Sequence, residues 1–205
     1  MTRRTHDRRV RVTEDFKKTM VLDTNGLMDD TMAIFRFGEC NVFIATRVVA
    51  ELDHNKRDKT DGKNCRDTIS LFEKILRGKM KEEIEDGIPL SPIFLSTVNE
   101  SGRKVEAPPT GLIFFQTRAP EKTSLLFPED DSDNKILSVI LDLKSCGRNI
   151  TLVTNDENFR IKATLEGIST IPYEGEHRGA KKRPWKRGYQ DHTSKRHRPY
   201  WGGKK

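Results

Sequence analysis

MVLDTNGLMDD, residues 20–30, runs from an apolar start straight into Asp23, Thr24, Asn25 and Gly26. Met20 to Thr24 reads as a short buried strand, and the residues at its end admit two explanations. Asp, Thr, Asn and Gly are turn formers, so the segment can simply be where the chain reverses. Alternatively, the strand delivers a carboxylate to a fixed place, and an acid that ends a buried strand needs a partner.

Outward from this segment, apolar runs and helical periodicities alternate. A helix is predicted around Asp29 to Phe37. A second strand is predicted over Asn41 to Ala45, with RVVAELDHN opening a helix behind it. CRDTISLFEKILRGK places Ile69, Phe72, Ile75 and Leu76 on one helical face. Between residues 90 and 117, PLSPIFLST and LIFFQT flank a polar turn bearing Gly and Pro, which reads as a β-hairpin insertion. SDNKILSVILDLKSC aligns Ile136, Leu137, Val139, Ile140 and Leu143 on a helix closed by Cys146-Gly147. ITLVT is a strand, DENFRIKATLEG a helix and ISTIPY a last strand. Such alternation predicts a parallel sheet with helices on both faces.

Length and composition bound the rest. The 205 residues suit one domain, and 34% hydrophobic with 34% charged residues suits a soluble body with polar extensions. No run of about eighteen apolar residues predicts a membrane span, and the start lacks the apolar core of a secretory signal. Cys40, Cys65 and Cys146 form no close pair, which predicts free thiols in a reducing cytoplasm. The net charge of +7 is unevenly spread: residues 1–19 carry +4 and 177–205 carry +10, so the middle is acidic. The expected organisation is a basic extension (1–18), a globular body (19–175) and a basic, aromatic tail (176–205) that is disordered when alone.

Four acids fall where they can meet at one end of the predicted sheet. Asp23 ends the first strand, Asp156 follows ITLVTN, Asp133 lies in the first turn of the SDNKILSV helix, and Glu51 sits in VVAELD directly behind a strand. Ligands of open parallel sheets bind beyond the carboxyl ends of the strands, where strand order reverses. Taken singly, Asp133 and Asp156 are explained as acids at helix N-termini, and Glu51 as a solvated helix residue. Together they form an unfavourable cluster unless a cation is present. Oxygen donors without His or Cys select a hard divalent ion, Mg²⁺ or Mn²⁺. Such ions bind phosphate oxygens and activate water for in-line displacement, which is nuclease chemistry.

VLDTN, VVAELD, SDNKILSV and LVTNDENFRIKA, in this order, resemble the PIN-domain nucleases, and in particular the PIN domain found fused to a PhoH-type ATPase. The helix at NCRDTISLFEKIL belongs to the same resemblance, which spans about Thr19 to Tyr173. It implies an α/β/α sandwich around a central parallel sheet and metal-dependent cleavage of single-stranded RNA. The acidic site it implies is Asp23, Glu51, Asp133 and Asp156, as ligands of Mg²⁺ or Mn²⁺, with Asn25 and Thr154 as supporting polar residues. Asp131 replaces Asp133 as ligand if the helix begins earlier. GxxxxGK[ST] does not occur in the sequence, so the ATPase half is not expected and the domain is expected to stand free. Two rivals stand beside the endoribonuclease: a structure-specific DNA nuclease and a catalytically silent RNA-binding module.

Phosphate contacts are expected from Lys135, Arg160 and Lys162, each of which is otherwise a solvated helix residue. In the tail, Trp185, Arg187, Tyr189 and Trp201 interleave cations with rings, a pattern suited to single-stranded RNA; docking onto the body or a partner is the alternative. Family members frequently dimerise, so a homodimer is compatible with the resemblance, and a protein inhibitor is not excluded by the sequence.

Overall fold

The computed structural model describes residues 17–99, 106–124, 126–127 and 131–175; the basic N-terminal extension up to residue 16 and the aromatic tail lie outside them. Three apolar strands form the middle of the sheet: β1 (Thr19–Leu22), β2 (Asn41–Ile44) and β5 (Ile150–Val153), with every residue of each buried. Strands so covered on both faces are continuous apolar runs rather than alternating ones, which is how TMVL, NVFI and ITLV read. Completing the sheet are β3 (Ile88–Pro89), β4 (Leu112–Phe115) and β6 (Ser169–Ile171), in the order β3-β4-β2-β1-β5-β6. All pairings are parallel except the two-residue one between β3 and β4.

The helices are α1 (Thr24–Asp29), α2 (Thr46–Asn55), α3 (Gly62–Leu76), α4 (Lys81–Asp86), α5 (Leu90–Asn99), α6 (Ser132–Ser145) and α7 (Glu157–Leu165). The chain moves outward from β1 to β2 and β4, then crosses back to β5 and β6. Right-handed crossovers put the helices of these two excursions on opposite faces. The order of strands therefore reverses beside β1, whose carboxyl end is the crevice of the fold.

Two local expectations are corrected. The first concerns the helix around Asp29 to Phe37, which starts earlier, at Thr24, because Asp23 caps it with its carboxylate; only a 3-10 turn, Ala33–Phe35, follows. The second is the hairpin. PLSPIFLST is not a strand but α5: Leu90, Ile93, Phe94 and Thr97 recur at helical spacing on the covered side, while Leu95 and Ser96 are exposed. Pro92 falls in the first turn, where a missing N–H is tolerated. Phe94 packs edge-on against Phe35, with ring centroids 5.2 Å apart. LIFF is a core strand parallel to β2, and its Phe115 packs at 5.2 Å on Phe72 of α3. β propensity in this segment yields to packing.

The last described residues tie back to the first helix. Tyr173 is buried and its hydroxyl donates to Asp30 Oδ2 at 2.7 Å, while its ring lies against Gly26, where an added Cβ would stand 3.2 Å from the ring. That contact accounts for glycine in the opening motif. Asp30 also accepts from Arg36 Nε (3.2 Å) and from the Met32 N–H (2.8 Å). Tyr173→Phe removes one donor from a buried carboxylate. It is expected to lower unfolding free energy by about 1–2 kcal/mol in urea titrations, without loss of fold.

Candidate active site

Asp23 is placed by the sheet itself. Its N–H donates to Val153 O at 3.1 Å, continuing the β1–β5 ladder one residue past the strand. Oδ1 accepts from the Thr24 N–H at 2.7 Å and Oδ2 from Thr154 Oγ1 at 2.6 Å. Both explanations of the opening motif hold at once: Asp23 caps α1 and stands at the crevice. It is 6% exposed, and burial pushes its carboxyl up to about 6, against the hydrogen bonds from Thr154 and Thr24, with the charges of Glu51 and Asp133 adding to the rise.

Glu51 is not a free surface residue. Thr24 Oγ1 donates to Oε2; Arg47 Nε (2.9 Å) and Ser132 Oγ (2.6 Å) both donate to Oε1. Through these bonds α1, α2 and α6 converge on one carboxylate. Asp53, two residues on, is exposed and pairs with Lys56 at 2.6 Å.

The acids of α6 share a cation. Asp131 is the N-cap, accepting from the Asp133 N–H at 3.2 Å, so the helix begins at Ser132 and Asp133 lies in its first turn. Lys162 Nζ donates to Asp131 Oδ2 and, at 3.1 Å, to Asp133 Oδ2. The two carboxyls respond oppositely to this shared partner. Burial dominates at Asp133 and raises it, with Asp131 and Asp156 adding to the rise; at the more exposed Asp131 the bond from Lys162 dominates and lowers it. Burial alone would lower the Lys162 ammonium, but its two carboxylates hold it above its ordinary value.

Asp156 caps α7, with Oδ1 accepting from the N–H groups of Asn158 (2.7 Å) and Phe159 (3.0 Å), and its own N–H donates to Thr154 Oγ1 at 3.0 Å. Thr154 thus links Asp23 and Asp156. Asn25 is exposed, with Nδ2 3.5 Å from Asp23 Oδ2. Arg160 Nη1 donates to Thr154 O at 3.2 Å, so it braces the loop, and Lys162 is held by acids; Lys135 is exposed on α6. Trp185, Arg187, Tyr189 and Trp201 lie outside the described residues.

Thr24, Arg47 and Ser132 were not anticipated. Arg47 stands four residues before Glu51, a spacing that favours pairing on a helix; Ser132 reaches Glu51 from 81 positions away, which no local pattern reveals. Among the described residues, no three His, Cys, Asp or Glu side chains are grouped closely enough to form a ready-made metal cage. An ion that keeps several waters and uses one or two carboxylates requires no such cage. The donor set is all oxygen, and its charges bear on one another along Glu51–Asp23–Asp133–Asp156. Its chemistry fits a hard divalent cation.

The family model described as PIN domain matches residues 20–174, most of the chain. The chain belongs to the PIN-domain family. This is a nuclease family, and the central, mostly parallel sheet described above is its α/β architecture. Two curated relatives are each named Protein PhoH2. The one from Bacillus subtilis is 30% identical over 158 residues, 74% of this chain and 32% of the relative. That from Mycolicibacterium smegmatis is 27% identical over 164 residues, 79% of this chain and 33% of the relative. The chain therefore spans about a third of the length of these relatives. Among solved structures, a domain of a functionally unknown protein from Methanocaldococcus jannaschii aligns with TM-score 0.40 at 14% identity, covering 82% of this chain and 99% of that one. No helix among the described residues is long and apolar enough to cross a membrane.

The state of Asp23 has a measurable consequence. Its folded pKa lies above the unfolded value near 4, so ionisation opposes folding: the penalty is nil below pH 4, grows as pH rises, and is complete above about 6. In EDTA, Asp23→Asn, which keeps an oxygen for the cap, is expected to be more stable than wild type by about 3 kcal/mol at pH 7.5. Thermal unfolding across the pH range should show that advantage vanishing near pH 4.

Proposed function

We propose that this PIN domain is a metal-dependent endoribonuclease that hydrolyses phosphodiester bonds of single-stranded RNA. Asp23, Glu51, Asp133 and Asp156 are its acidic site, and Mg²⁺ or Mn²⁺ its cofactor. The observation that carries the reading is the mutual positioning of carboxylates that repel: Asp23 is buried beside the charges of Glu51 and Asp133, and Asp133 beside that of Asp156. Such an arrangement is unfavourable by itself and becomes favourable with a cation.

A divalent ion bound there supplies charge neutralisation at the scissile phosphate and activation of water. The chain's own residues do the positioning. Thr154 and the Thr24 N–H fix both oxygens of Asp23, and Thr24, Arg47 and Ser132 fix Glu51. Lys162 neutralises the start of α6 and keeps Asp131 and Asp133 together. With the acids as ligands, no protein nucleophile is required. Recruitment of RNA is assigned to the tail, whose +10 charge and paired rings oppose the acidity of the body.

Cleavage of matched RNA and DNA single strands in Mn²⁺ or Mg²⁺ tests the proposal. Wild type is expected to cut RNA internally, and Asp133→Asn to cut about a hundredfold more slowly or worse, the several kcal/mol that ion-assisted stabilisation supplies. Asp53→Asn, on the same helix as Glu51 but paired with Lys56, should retain activity. Equal cleavage by wild type and Asp133→Asn removes the assigned site. DNA preference favours the structure-specific reading, and RNA binding without cleavage favours the silent module.

Chelation gives a second check. EDTA should abolish cleavage, and restoring Mn²⁺ should recover it while raising the thermal midpoint of wild type. Asp133→Asn should show a smaller rise at the same Mn²⁺ concentration, since ligands that bind only the folded state stabilise it by mass action.

A further inference from the structure

Next to the acids lies a cavity of about 770 Å³, walled by the start of α2, the segment after β4, Phe127 and the first turns of α6. Its volume lies in the range of small-molecule sites. Among the described residues that line it are three cations, Arg47, Arg118 and Lys135, and no carboxylate. In a body that is otherwise acidic, this is a local reversal of sign beside the candidate catalytic edge.

One of its lining residues contacts one of those acids directly, and two others lie close by in chain or space. Arg47 donates to Glu51. Lys135 follows Asp133 by two residues on α6, and the Phe127 ring lies 6.0 Å from Lys162 Nζ, the ammonium that holds Asp131 and Asp133. The far wall is preformed. Gln116 Oε1 accepts from both the N–H and the Oγ1 of Thr46 at 3.0 Å, and Gln116 Nε2 donates to Arg118 O at 2.9 Å. This clamp ties the start of α2 to the loop after β4, across the carboxyl ends of two neighbouring strands. Arg118 Nη2 stands 3.8 Å from Asp142 Oδ2 and 4.0 Å from Cys146 Sγ, and the side chain is 62% exposed, so it remains open to an anion.

We propose that this cavity is the subsite for a nucleotide adjoining the scissile phosphate of single-stranded RNA. Lys135 and Arg118 take its phosphate, and Phe127, the one ring among the described lining residues, takes the face of its base. The proposal rests on the nuclease reading above and adds to it where the strand lies: along the β2–β4 side of the crevice. Cations meeting phosphate while a ring meets a base is how single strands are held with little sequence preference. An apolar peptide would not draw on three cations, and a free anion would not need a volume this large.

The test uses the full chain in EDTA with the dinucleotide pUpU, followed by amide NMR. Saturable shifts are expected at Ala50, Arg118 and Lys135. Ala50→Trp, which fills the cavity from an exposed position, should weaken binding about tenfold or more, roughly the loss of one stacked base. Lys135→Ala, also at an exposed position, is expected to weaken it and keeps the test if Ala50→Trp does not fold; Lys59→Ala, at an exposed position in the loop after α2, should bind as wild type. Ribose 5-phosphate in place of pUpU separates the phosphate contact from the base contact and should bind more weakly.

With Mn²⁺ and an RNA substrate, the same variants should raise KM more than they lower kcat. Shifts absent from the cavity, or unaltered by both variants, overturn the proposal even where wild type cleaves RNA and Asp133→Asn does not. Failure of wild type to cleave RNA removes the nuclease reading and, with it, a place beside a scissile phosphate, while the pUpU shifts separately decide whether the cavity takes a nucleotide.

Discussion

The hydrogen bond from Thr154 to Asp23 joins the ends of β1 and β5 at the point where the chain reverses its direction across the sheet. Asp23 sits there because Met20, Val21 and Leu22 are buried on both faces and the ladder runs one residue further, to Val153 O. A carboxylate so buried is stable in one geometry only, with its oxygens bonded and its charge answered. Thr154 supplies one bond and the Thr24 N–H another. Neither supplies charge, and burial therefore drives the carboxyl towards protonation. The remainder of the crevice can be understood as arranged around that unanswered charge.

Glu51 and Asp133 deepen the problem rather than relieve it, since both raise Asp23. What keeps them in place is a set of hydroxyls, backbone N–H groups and two cations: Arg47 pairs with Glu51 at 2.9 Å. Hydroxyls of Thr24 and Ser132 bind Glu51, backbone N–H groups take Asp131 and Asp156 as helix caps, and Lys162 spans the two acids of α6. Each helix start gains a favourable cap from the same acid that makes the edge electronegative. A capping role for Asp131 or Asp156 therefore does not compete with the acidic site proposed above. The cationic cavity on the β2–β4 side sets an opposite potential alongside, the pairing of signs expected where a polyanion must approach an acidic site.

The relation between pattern and outcome differs along the chain. The helix over residues 62–76 was legible from Ile69, Phe72, Ile75 and Leu76, and so were the fully buried strands, because burial on one stripe or on both faces leaves a period in the sequence. The segment at 90–99 reads as a strand because Ile, Phe and Thr favour strands by propensity, while its spacing, Leu90, Ile93, Phe94 and Thr97, is helical. Packing against Phe35 decided between them. Among the candidate site residues, Asp23, Glu51, Asp133 and Asp156 could be singled out by their places after strands and at helix starts. Thr24 and Ser132, which reach Glu51 from other elements, could not be assigned that role, whereas the i,i+4 spacing of Arg47 signals it.

The sequence by itself determined the alternation of buried strands and helices, the acids at their junctions, and the separation of an acidic body from basic ends, because each depends on neighbours within a few residues or on composition. Only the tertiary structure decided which hydroxyl and which ammonium meet which carboxylate, that α5 is a helix, and that Arg47, Arg118 and Lys135 share one cavity. Those outcomes depend on side chains tens of positions apart that are brought together by the crossing of β4 to β5, and no local period records a meeting of that kind.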